Sequence, residues 1–134
     1  MRGLVVLVSA IAALSCAVNV QVAFAGEKLC TQLHLQKKHR NADNVVTREI
    51  SATVSWCATD ARVGQITGHT FCQGFGHWSC GNHLFKVLSV SGKPNVREVV
   101  ATAHYKRRLH KVVVNRAIMQ FCLVVNRRGY HLCR

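Results

Sequence analysis

The fifteen residues from Phe71 to Phe85, FCQGFGHWSCGNHLF, hold two cysteines, two histidines and a Trp among three glycines, with His69 just upstream. Five soft or borderline metal donors thus lie close together: His69, Cys72, His77, Cys80 and His83. Their spacing does not suit a metal. Structural zinc sites pair ligands as C-x₂₋₄-C with a second pair well downstream, whereas seven residues separate Cys72 from Cys80 and only Cys80 and His83 sit near each other. In an oxidising compartment the same thiols form disulfides. The stretch therefore reads as a stapled loop and strand, a Cys72–Cys80 bond being one possible pairing. No metal and no cofactor are expected.

Hydrolytic chemistry on a phosphodiester needs a general acid and base, commonly a His with a Glu or a second His, and a cation for the developing charge. The eight histidines and the cations are plentiful, but there are only five acids: Glu27, Asp43, Glu49, Asp60 and Glu98. Three of them fall in one segment around residues 43–60, and no intact acid/base pair is evident. Binding of a phosphate polymer is better supplied. Tyr105-Lys106-Arg107-Arg108-Leu109-His110-Lys111 is the densest cationic run, Arg127-Arg128 is a second, and Trp78 could stack a base. The expected RNA-binding residues are Tyr105, Lys106, Arg107, Arg108, Lys111, Arg127, Arg128 and Trp78.

The N-terminus places these residues outside the cell. A basic Arg2, an apolar run from Leu4 to Val18 and Ala23-Phe24-Ala25 ahead of a polar Gly26-Glu27-Lys28 have the three parts of a secretory leader. Asn19 and Gln21 interrupt the run before it reaches the roughly 20 apolar residues of a spanning helix. Residues 1–25 are expected to be removed as a signal peptide, leaving residues 26–134 as a single domain with no transmembrane segment. Loss of Cys16 turns seven cysteines into six, Cys30, Cys57, Cys72, Cys80, Cys122 and Cys133, which implies three disulfides. Loss of Arg2 leaves seventeen Lys and Arg against the five acids, a formal charge of +12. Such a chain is expected to be a monomer and to seek anionic partners: RNA, acidic membranes or acidic polymers. It holds no Asn-x-Ser/Thr acceptor for N-glycosylation.

Within the domain, Val46, Ile50, Val54, Cys57, Ala58 and Ala61 recur at intervals of four or three, with Asn41 and Asp43 as candidate caps and Gly64 as a stop. The spacing predicts one amphipathic helix over about residues 44–62, burying Ile50 and Val54 and turning Arg48 and Arg62 to water. After Gly64 the β-branched content rises. Strands are predicted over residues 66–72, 83–90, 96–105, 109–115, 118–125 and 130–133. Turns fall at the glycine-rich stretch, Ser91 to Asn95, Lys106 to Arg108 and Asn126 to Gly129. Short connections imply an antiparallel meander, so the expected class is α+β: an N-terminal helix packed on a β-meander sheet and stapled by disulfides.

That layout, with the closing HKVVVNRAIMQFCLVVNRRGYHLCR, resembles the fungal guanine-specific ribonuclease family. The resemblance places Lys111 at the family's Arg, Asn126 at its second catalytic His and Cys133 at its terminal Cys. Phe75-Gly76-His77-Trp78 falls on its Tyr-Pro-His segment, and Phe85 or Lys86 stands where its catalytic Glu would be. The cleft implied by His77, Lys111 and Asn126 is degenerate, without catalytic residues. The chain in this respect is similar to the ribonuclease-like secreted effectors of powdery mildew fungi. The resemblance implies a ribonuclease-like fold, a Cys30–Cys133 bond, and a secreted virulence effector that binds RNA or a host RNA-associated protein without cleavage. Translocation into a host cell would follow from it. The pairing of Cys57, Cys72, Cys80 and Cys122 stays open. Two alternatives remain: a cationic antimicrobial or membrane-active protein, and an active ribonuclease using His77 with His104 or His131.

Overall fold

The residues from Val46 to Ala58 decide the architecture. Ile50, Ala52, Val54, Trp56 and Ala58 are all buried, and the residues between them, Ser51, Thr53, Ser55 and Cys57, are not. That is a period of two, the signature of a strand with one face on a core. A computed structural model describes residues 4–12, 16–25 and 28–133, and among these no helix forms. The expected α+β class is corrected to all-β, and with the helix goes the helix-on-sheet layout that carried the ribonuclease resemblance.

Nine strands are described: β1 (Leu4–Ala12), β2 (Cys16–Ala25), β3 (Lys28–Arg40), β4 (Val46–Ala58), β5 (Thr67–Gly74), β6 (Trp78–Val90), β7 (Lys93–Leu109), β8 (Val112–Asn126) and β9 (Gly129–Leu132). They make two antiparallel meanders, β1-β2-β3-β4-β5 and β6-β7-β8-β9. The expected meander is present, and the six predicted strands condense into five: residues 112–115 of one and 118–125 of the next belong to the single strand β8. The segment read as a leader supplies β1 and β2, with β2 lying along β3 from Lys28 to His34.

The two sheets face each other across one core. Leu33, Leu35, Ile50, Val54 and Trp56 come from the first sheet, and Val99, Ala103, Tyr105, Phe121, Leu123 and Val125 from the second. Burying each Val, Leu, Ile or Phe side chain contributes about 1.5 to 3 kcal/mol. Trp56 meets the Tyr130 ring edge-on across the gap, with centroids 5.8 Å apart.

Side chains read as helix signals serve turns instead. The Asn41 carboxamide oxygen accepts hydrogen bonds from the Asp43 and Val45 amides at 2.9 and 3.0 Å, closing the β3–β4 hairpin. A short polar side chain that can cap a helix can equally close an Asx turn. The β7–β8 connection is not at Lys106 to Arg108, which lie within β7. It is the two-residue loop His110-Lys111, both with positive φ (50° and 66°) as tight hairpin turns of this hand require.

Three disulfides staple the sandwich: Cys30–Cys57, Cys72–Cys80 and Cys122–Cys133. The Cys30–Cys133 bond implied by the resemblance is corrected: Cys30 and Cys57 are directly opposed on β3 and β4, with Cα atoms 3.9 Å apart. Cys72–Cys80 closes the corner where the chain leaves one sheet for the other, and the Thr70 hydroxyl donates to the Leu84 carbonyl beside it at 3.0 Å. Gly74 is needed at that corner, since a Cβ there would lie 2.4 Å from the Trp78 carbonyl oxygen.

Candidate functional site

The stapled corner of the opening motif forms part of one end of the sandwich. There the β3–β4 hairpin, the Phe75-Gly76-His77 turn and the ends of β7 and β8 converge. The Phe75 amide donates to the Thr47 carbonyl, and the Arg108 amide to that of His77, both at 3.0 Å. Between these segments lies a cleft of about 570 Å³ whose lining includes His39, Arg48, His77, Trp78, Arg107 and Asn115. No carboxylate is among the lining residues.

Arg48 is central to the cleft. It precedes Ile50 by two residues, so the strand period points it inward, and its guanidinium carbon lies 4.5 Å from the centre of the Trp78 ring. Its Nε is buried with no hydrogen-bond partner. Burial lowers its pKa from the ordinary arginine value, opposed in part by the Tyr105 phenol. His39 is exposed at the cleft wall, and partial desolvation, then the Arg48 charge, lower its pKa below the ordinary 6.5. The site thus concentrates positive charge beside an aromatic ring and leaves a donor of a partly buried cation unsatisfied. Such an arrangement suits an anion with a planar group attached.

Of the expected RNA-binding residues, Trp78 and Arg107 line the cleft, together with His77, and Trp78 is paired with Arg107 across β6 and β7. Lys106 is paired with Arg116 nearby, while Arg108 and Lys111 are exposed at the same end. Tyr105 is not part of this surface: it is 1% exposed and its hydroxyl donates to the Glu49 carbonyl. Burial foremost pushes its pKa up to about 12. Arg127 and Arg128 lie at the opposite end of the sandwich, where the Arg127 guanidinium donates to the Asp60 carbonyl at 2.5 Å.

The degenerate cleft of His77, Lys111 and Asn126 is not assembled. Lys111 immediately precedes the single strand β8 and Asn126 ends it, on the order of 50 Å apart at the usual rise per residue. Asn126 closes the β8–β9 turn instead, accepting from the Arg128 and Gly129 amides at 2.8 and 3.0 Å. Sequence reasoning missed Arg48, His39, Asn115 and Arg116. A period-two reading of Val46 to Ala58 would have turned Arg48 inward.

The metal donors of the opening motif are divided, since Cys72 and Cys80 are bonded to each other. Among the described residues the one cluster of three potential ligands is Glu98, Cys122 and Cys133, and both of its cysteines are consumed in a disulfide. A second hollow, of about 730 Å³ beside Cys30–Cys57, holds Lys28 and Arg62.

Three disulfides are compatible with an extracellular protein. No helix among the described residues is long and apolar enough to cross a membrane. The chain matches no protein-family model, no curated protein and no solved structure.

Proposed function

We propose that this chain is a secreted cationic β-sandwich that binds single-stranded RNA at the Arg48–Trp78 end without cutting it. The observation that carries the reading is the partly buried Arg48 guanidinium over Trp78, with an unsatisfied Nε and with Arg107 in the same carboxylate-free cleft. Lys106, Arg108, Lys111 and Arg116 extend the positive surface beyond the cleft, so a strand whose phosphate sits on Arg48 meets further cations along its backbone. Trp78 supplies the aromatic surface, and base–aromatic stacking is worth about 1 to 3 kcal/mol per base.

The test is retention of a labelled single-stranded RNA by the purified protein at low salt, with the RNA recovered and sized afterwards. Retention of intact RNA that Trp78→Ala and Arg107→Ala each weaken supports the reading. Rapid cleavage lost in His77→Ala would replace it with an enzyme. Binding indifferent to both cleft variants would move the ligand elsewhere.

A further inference from the structure

Strand β8 has an open edge. β9 pairs with it only from Leu123 to Asn126, and the Cys133 amide donates to the Cys122 carbonyl at 2.9 Å just before that. From Val112 to Phe121 the strand has β7 on one side and, among the described residues, no strand on the other. The alternate amides and carbonyls that point away from β7 along this stretch have no strand partner, the Arg116 amide being held by the Asn115 side chain at 2.9 Å, and they are a template for an added strand. The edge is also apolar, for Val112, Val114 and Ile118 are 61%, 48% and 62% exposed. A register shift at Val114, between the Arg107–Asn115 and Arg108–Val113 pairs, interrupts the edge near its start, and from Asn115 to Phe121 it runs regularly.

Charge selects the occupant. From Val99 to Arg134 the sequence contains no Asp or Glu, yet it contains Lys106, Arg107, Arg108, Lys111 and Arg116 around the open edge. A second copy adding antiparallel would bring both copies' Arg116 and Lys111 clusters to one seam, and like charges across strands repel. An extended segment carrying acids between apolar residues would answer both features, because side chains alternate faces along a strand. We propose that the Val112–Phe121 edge of β8 is a docking site for an extended acidic segment of a partner protein, added as a further strand of the sheet. This surface adjoins the cleft around Arg48 and shares Arg107 and Asn115 with it, so an acidic segment and an RNA strand would compete for the same cations.

The probe is a ten-residue peptide of alternating glutamate and valine, with two derivatives N-methylated at one or the other alternate set of amides. In strand addition only one set faces the edge, so one derivative should bind at least about tenfold more weakly than the other. Amide hydrogen exchange should slow from Val112 to Phe121 when the peptide is present. Val114→Glu and Ile118→Glu, both at exposed positions, should each weaken the peptide at least about tenfold. Equal binding of the two methylated derivatives, or no protection of β8, would overturn the proposal in favour of loose charge attraction. Peptide-free dimers dissolved by Ile118→Glu would assign the edge to a second copy, and protection of the same amides by single-stranded RNA would assign it to nucleic acid.

Discussion

At the scale of single residues, Arg48 links stability to binding with opposite signs. Desolvating a cation costs free energy that a carboxylate or full hydrogen bonding would offset, and its Nε has no partner. Arg48→Met keeps the apolar stem over Trp78 and removes the charge. Thermal unfolding should therefore show stability unchanged or raised by about 1 kcal/mol, while RNA affinity measured by fluorescence anisotropy falls about tenfold. Loss of both together would mean that the guanidinium is a packing element. The neighbouring His39 gives a pH signature. Partial desolvation and then the Arg48 charge lower its pKa, so it gains its proton at a lower pH than an ordinary histidine. Protonation adds positive charge to the cleft, and RNA affinity should strengthen as pH falls below that value. His39→Gln should remove part of this gain. In Arg48→Met the His39 step should move upward, towards the ordinary histidine value, because the repelling charge is gone.

At the scale of elements, β4 shows how much the sequence disclosed. Ile50, Val54 and Ala58 repeat every four residues, an interval that both a helix and a strand accommodate. Their burial was therefore legible, while the element was not. Ala52 and Trp56 break the tie, being buried at the intermediate even positions, and the β-branched Val45, Val46, Thr47, Ile50, Thr53 and Val54 favour a strand. Three local signals, Asn41, Asp43 and Gly64, fitted a helix only because helix ends and tight turns draw on the same residues. Substitution separates the alternatives. Ser51→Asp on the outer face should leave the unfolding midpoint nearly unchanged, whereas Ala52→Asp buries an unpaired charge and should unfold the protein. Ile50→Ala should cost about 2 to 5 kcal/mol in either case. Peptide mapping of the oxidised protein should find Cys30 joined to Cys57. Replacing that pair by Ser should cost roughly 3 to 4 kcal/mol, the chain-entropy value for residues 27 apart.

At the scale of the whole molecule, cationic runs that look alike in sequence part company. Lys106 to Lys111 and Arg127-Arg128 both precede or form hairpin turns, but the antiparallel meander delivers them to opposite ends of the sandwich. Composition fixes a chain of net charge +13 before any processing, and only topology tells which charges can act on one ligand. The three-disulfide count and the second-half strands were within reach of the sequence, whereas the cation over Trp78 is Arg48, which the helix reading turned to water. The end to which each loop is carried depends on contacts between strands far apart in the chain, which no local pattern encodes. The salt dependence of single-stranded RNA binding tests the location most directly. Neutralising some four to six phosphates gives a slope of log K against log salt of roughly −3 to −4. Replacing Lys106, Arg107, Arg108 and Lys111 together with Ala should flatten that slope by about 3, and replacing Arg127 and Arg128 should leave it unchanged. A slope lost with Arg127 and Arg128 but kept without the four cations of the Trp78 end would contradict the placement of the ligand.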